Sequence, residues 1–163
     1  MWSVPPDRSV RRALGAALVA AAGAQLAGCT TAVPVPVAPH AADPLCAAVV
    51  LALPQELAEM PRLGTDSQAT AAWGEPAGPV VLRCGVEPPA PTTDPCVTAA
   101  DDRAQVDWLA AQAPDGSWTF TTYGRDPAVE VTVPAVVAQR RSTSFLLDLG
   151  PAVAHVEQTR ACP

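Results

Sequence analysis

Cys29 closes the tetrapeptide Leu26-Ala27-Gly28-Cys29, and its setting is the one in this chain best suited to a covalent reaction. Small residues ending on a cysteine, after a short apolar stretch, read as a lipobox. The chain would be cut before Cys29, whose thiol would take lipid. The preceding residues agree. Arg8, Arg11 and Arg12 form a positive start, and residues 13–25 carry no charge. That stretch is short of the roughly 20 apolar residues a transmembrane helix needs. The pattern predicts a lipoprotein signal peptide over residues 1–28 and a chain held by its lipid on the outer face of the cell membrane. The pair Arg11-Arg12 leaves twin-arginine export open.

Non-covalent chemistry is sparser. Arg83 falls in a strand pattern and Arg125 in a Tyr-Gly-Arg-Asp-Pro turn. A guanidinium fork suits carboxylate or phosphate, so Arg83 and Arg125 converging with Trp73 and Tyr123 would bind an anionic or sugar-like envelope ligand. The plainer alternative is an internal salt bridge to Asp107 or Asp126. Catalysis finds little support. There is no Gly-x-Ser-x-Gly, no Cys-x-x-Cys and no phosphate loop, and the histidines are His40 and His155. Glu130 and Asp107 are the carboxylates an enzyme would use, whereas Asp101-Asp102 read as solvated loop acids. Cysteine spacing suits no zinc site. No metal and no cofactor is expected.

Five cysteines, one of them lipidated, leave Cys46, Cys84, Cys96 and Cys162. An even number in an exported chain predicts two disulfides. Three connectivities are open. Proximity favours Cys84–Cys96 across a Pro-rich loop, with Cys46–Cys162 joining the ends. The net charge is −6, and loss of residues 1–28 removes three arginines and Asp7, making it −8. Such an acidic domain, without a single lysine, is unsuited to nucleic acid and to anionic lipid headgroups.

The elements that would position these residues follow from pattern. Residues 29–42 alternate proline with small residues and read as a polyproline-like tether. At about 3.1 Å per residue it would stand the domain some 40 Å from the bilayer. One globular domain over 43–163 follows. Asp43-Pro44 caps a short helix over 45–53, apolar almost all round and so expected to be buried. Pro54 breaks it or opens a further helical turn. Residues 61–79 and 87–100 read as loops. Strands are predicted over 80–86, 106–112, 118–123 and 128–133, from β-branched content and period-two alternation. Ser142 or Thr143 caps a last helix over 145–149. The fold class is α+β: a four-stranded, mostly antiparallel sheet with two helices packed on one face, disulfide-bonded.

Asp43-Pro44-x-Cys46, Trp73-Gly74, Leu82-Arg83-Cys84-Gly85, Val106-Asp107-Trp108, Tyr123-Gly124-Arg125-x-Pro127 and a closing Cys162 occur in that order. The series resembles an actinobacterial family of exported lipoproteins, domain of unknown function 3515, over about residues 43–162. The resemblance implies export and membrane association, and no assigned activity. The expected role is a non-enzymatic envelope module that binds an envelope protein or a cell-wall ligand. A small extracytoplasmic enzyme and a ligand carrier are the alternatives.

Overall fold

The computed structural model describes Trp2 and residues 32–163. The expected signal peptide and the lipobox with Cys29 lie outside the described residues. In chain order the elements are α1 (Pro44–Ala52), β1 (Glu56–Leu57), β2 (Met60–Leu63), β3 (Thr70–Trp73), β4 (Val80–Val86), β5 (Cys96–Ala100), β6 (Gln105–Gln112), β7 (Trp118–Thr122), β8 (Ala128–Val133), α2 (Ala135–Ala138), a 3-10 turn (Thr143–Phe145) and α3 (Leu146–Val153). The strands form an antiparallel sheet in the order β1-β2-β3-β4-β8-β7-β6-β5.

This corrects the four-stranded sheet with two helices on one face: the described residues form eight strands and three helices. β4, β6, β7 and β8 lie where the alternation puts them. The other four carry no such signal. β1 replaces the expected helical turn after Pro54, β2 and β3 occupy the first expected loop, and β5 the second. These strands are two to five residues long and rich in Ala, Glu and Pro, residues depleted from strands in general. Pairing with stronger neighbours holds them: Thr70 faces Arg83, and Cys96 faces Leu109. The β1–β2 hairpin turns through Ala58 and Glu59 at φ 48° and 64°. Both turn residues in the left-handed region mark a type I′ turn, which normally selects Asn-Gly. Ala-Glu gave no hint of it.

Asp43 caps α1 as expected, its Oδ1 accepting from the Leu45 N–H at 2.8 Å. The helix is not buried all round. Cys46 and Val49 are fully buried, while Leu51 is 86% exposed. One stripe of so short a helix meets the sheet, and the opposite side faces water. That stripe joins Leu82, Cys84, Trp108, Phe120, Val129 and Val131 of the sheet, and Leu149 and Val153 of α3, in one core.

The cysteines pair as Cys46–Cys84 and Cys96–Cys162. This corrects the expected Cys84–Cys96 and Cys46–Cys162 pairs. Cys84 and Cys96 are close in sequence, but three strands separate β4 from β5 in the sheet. Alternation also points Cys84 into the core beside α1, whereas Cys96 shares the other face with Asp107.

That other face is covered by two extended segments. The residues expected as a tether are, from Val33 onward, a strap laid on the sheet. Val33 and Val35 pack on Ala72, Leu63 and Val81, and Ala38 and Ala41 pack on Val86 and Ala128. The Val33 N–H donates to Gly64 O at 2.8 Å, and the His40 N–H to Gly85 O at 2.8 Å. Alternating proline frees the backbone from helix and leaves every second residue for packing, so one pattern served spacer and strap equally well. Toward the C-terminus, a tail over residues 157–162 crosses the β5–β6 half.

Gly85 makes the strap possible. It is the bulge between Cys84 and Val86, at φ +94°. A Cβ there would stand 2.6 Å from the Ala41 nitrogen and closer still to the His40 carbonyl. Gly85→Ala is expected to cost about 1–3 kcal/mol from the backbone conformation alone and to lift the strap off the sheet. Hydrogen exchange will show the loss as faster exchange of the His40 amide. Unchanged protection there would contradict the close approach.

Candidate functional site

Trp73, Arg83, Tyr123 and Arg125 do not converge. Trp73 is fully buried on the core side of β3, and its Nε1–H donates to Pro54 O at 3.0 Å. Arg62 lies 5.9 Å from the ring centre and donates to the Val50 and Leu53 carbonyls, which closes the C-terminal end of α1. Arg83 projects from the opposite face. Its Nε and Nη2 donate to Glu130 Oε1 at 3.1 and 2.7 Å across β4 and β8, and Nη1 reaches Pro36 O in the strap. An Arg–carboxylate pair half-shielded by the strap fixes a crossing of chain segments. It leaves no open fork for a ligand.

Tyr123 and Arg125 belong to a second cluster, under the tail. Arg160 stacks 5.7 Å from the Tyr123 ring centre, and the Thr159 N–H donates to Gly124 O at 2.7 Å. Arg125 is 5% exposed. Its guanidinium donates to Val156 O, to Gln105 O at 3.0 Å and to Gln158 Oε1 at 3.2 Å. Gln158 in turn donates to Asp107 Oδ2 at 2.8 Å, so of Asp107 and Asp126, the alternative salt-bridge partners, Arg125 is linked to Asp107 through an amide. Asp107 is 1% exposed and also accepts from Thr98 Oγ1 at 2.7 Å and from the Cys162 N–H at 2.8 Å.

The electrostatics match this wiring. Burial pushes the Asp107 carboxyl upward. The Cys162, Thr98 and Gln158 donors and the Arg125 charge outweigh it and hold the group below the usual range. Burial draws the Arg125 pKa below its ordinary value, partly offset by Asp107. A carboxylate held ionised by three internal donors and 1% exposed is poorly placed to take a proton from a substrate. Gln158, which completes the cluster, was missed because a lone glutamine in a polar tail carries no sequence signal.

Glu130, Asp101 and His40 are engaged as well. Glu130 is taken by Arg83. Asp101 accepts from the Arg103 and Ala104 N–H groups and from the Arg103 guanidinium. His40 Nε2 lies 2.8 Å from Glu87 on the surface, and His155 is exposed. Among the described residues no three metal-ligating side chains cluster, and no helix is long and apolar enough to cross a membrane.

Open grooves are present among the described residues. One, of about 680 Å³, runs between the β1–β2 turn and the residues after α2. Glu59, Glu75, Arg140 and Arg141 border it over a floor that includes Met60 and Val136. Arg141 donates to Ala58 O and lies 3.6 Å from Glu59 Oε2, bracing the left-handed turn. Another, of about 550 Å³, lies beside β5, with Trp118, Phe120 and Leu147 in its wall and Ser142 and Ser144 at its rim. Its wall is uncharged, Trp118 and Phe120 stack at 5.9 Å, and β5 pairs on one side only. Such a surface can hold an extended or apolar segment. It has no acid–base pair with which to transform one.

The model of a family described as "Protein of unknown function (DUF3515)" matches residues 10–162. No curated protein and no solved structure matches the chain.

Proposed function

We propose that this chain, which belongs to that family of proteins of unknown function, is an actinobacterial-type envelope lipoprotein. It is held on the outer face of the membrane through Cys29 and acts as a non-enzymatic binding or assembly module. The observation that carries the reading is Leu26-Ala27-Gly28-Cys29 behind an Arg-rich start and an uncharged apolar stretch. Cysteine usage supports it. Cys46, Cys84, Cys96 and Cys162 form two disulfides, as suits an oxidising compartment, and they account for every cysteine but that of the lipobox.

A binding role is supported over catalysis by the state of the carboxylates. Asp107 and Glu130, the two an enzyme would use, are both consumed by internal partners. The groove beside β5 is the surface best suited to a partner.

Expression of the full chain in a host with lipoprotein processing tests the anchor. The wild type is expected to partition into detergent and to yield an N-terminal peptide beginning at acylated Cys29. Cys29→Ser should leave the chain unacylated. A wild-type mass equal to the bare polypeptide would overturn the reading.

A further inference from the structure

The strap turns an uncharged face outward at the point where the chain enters the domain. Val33, Val35, Ala38 and Ala41 point into the sheet, and Pro34, Pro36, Val37 and Pro39 point out, with Val37 61% exposed. The charges along its border are engaged: Arg83 with Glu130, His40 with Glu87, and Asp66 Oδ1 with the Val35 N–H and Ser67 Oγ.

We propose that this outward face of the strap seats the domain flush on the lipid surface of the bilayer. The inference rests on acylation of Cys29 and adds to it which surface meets the membrane. From Cys29 to Val33 is four residues, so at about 3.5 Å each the connection spans at most roughly 14 Å. Val33 is fixed at its far end by the Gly64 carbonyl and by the Asp66 N–H, which donates to Val33 O at 3.2 Å. The turn between β2 and β3 therefore stays within that distance of the lipid-bearing residue. A domain of this length has a radius of gyration of about 14 Å, so the lead is no longer than the domain's own radius and keeps the strap end beside the bilayer.

The strap is the face nearest the anchor, and its exposed side chains suit the headgroup–acyl boundary, where apolar groups gain by leaving water. Acid-bearing surfaces elsewhere on a chain whose net charge is −8 once residues 1–28 are lost would be repelled by anionic lipid. The tether expected from proline content would instead have left the domain free to roam tens of ångströms away.

The test uses the full acylated protein in vesicles of phosphatidylglycerol and phosphatidylcholine, carrying an environment-sensitive fluorophore on Val37→Cys or, at the exposed end of β6, on Gln112→Cys. Spin-labelled lipids are the quencher, and mass spectrometry reads acylation of the same samples. Quenching several-fold stronger at position 37 than at 112 is expected. Acylated protein with equal or weaker quenching at 37 overturns the seat while leaving the anchor intact. So does shielding of the fluorophore by a second copy without lipid quenching. An unacylated mass overturns the anchor itself, and the seat with it.

Discussion

Asp107→Ala is expected to destabilise the domain by about 3–5 kcal/mol, the range for removing one partner from a buried charged network. The substitution strands three donors at once: Thr98 Oγ1, Gln158 Nε2 and the Cys162 N–H. It also removes the anion that offsets burial of Arg125. Asp107→Asn keeps the shape and can still accept from some of these donors, so a smaller loss is expected. Urea unfolding with disulfides intact measures both. The pH dependence supplies a second signature. The folded pKa of Asp107 is depressed, so its contribution is fully present above the unfolded value of about 3.9. It disappears as pH falls through the lower folded value. The gap between wild type and Asp107→Asn should therefore narrow below about pH 4. A gap that is constant down to the acid limit would refute an ionised, donor-held carboxylate.

Removing the Cys46–Cys84 bridge as the double variant Cys46→Ser/Cys84→Ser should cost about 4 kcal/mol, the chain-entropy value for a loop of this length. The separation of the pair is 38 residues. The loop it closes contains all of β1, β2 and β3, the strands with the weakest intrinsic preference. The loss should therefore be uneven. Amides of α1 and of β1 to β3 should exchange faster, while β6, β7 and β8 keep most of their protection. Non-reducing peptide maps of the wild type must show Cys46 joined to Cys84. A Cys84–Cys96 peptide would refute the pairing, and uniform loosening would refute the division of the sheet.

How much of this was legible depends on where the stabilising interactions are local. Asp43-Pro44 announces α1 because cap and first turn are adjacent in sequence. β4 and β8 announce themselves because Val80, Leu82 and Val129, Val131, Val133 alternate within single segments. β5 does not, since Val97-Thr98-Ala99 owes its extension to β6 beside it. The type I′ turn at Ala58-Glu59 was invisible for the same reason: Arg141, far along the chain, holds the Ala58 carbonyl. The number of disulfides followed from counting. Their partners did not, because sheet order sets which cysteines meet. The candidate site was legible as a set of unusual residues and not as a geometry. Arg83 and Arg125 are unusual because each fastens a crossing segment, the strap in one case and the tail in the other. Arginine in a strand looks the same whether it awaits a ligand or a carbonyl 47 residues away.

The open end of the sheet carries a liability as well as an opportunity. β5 is five residues long, has no charged side chain, and leaves Val97 47% exposed on an unpaired edge. Edges of that kind invite one sheet to grow onto another, and proteins ordinarily blunt them with lysine or with a covering loop. Here the restraint is length and punctuation. Pro95 stands at one end and Asp101-Asp102 at the other, and Cys96 is tied back to Cys162. At the far end of the sheet the last strand is the two-residue Glu56–Leu57, with a carboxylate on it. Fibrous self-assembly of this domain would therefore begin at β5, once the 96–162 bridge is reduced.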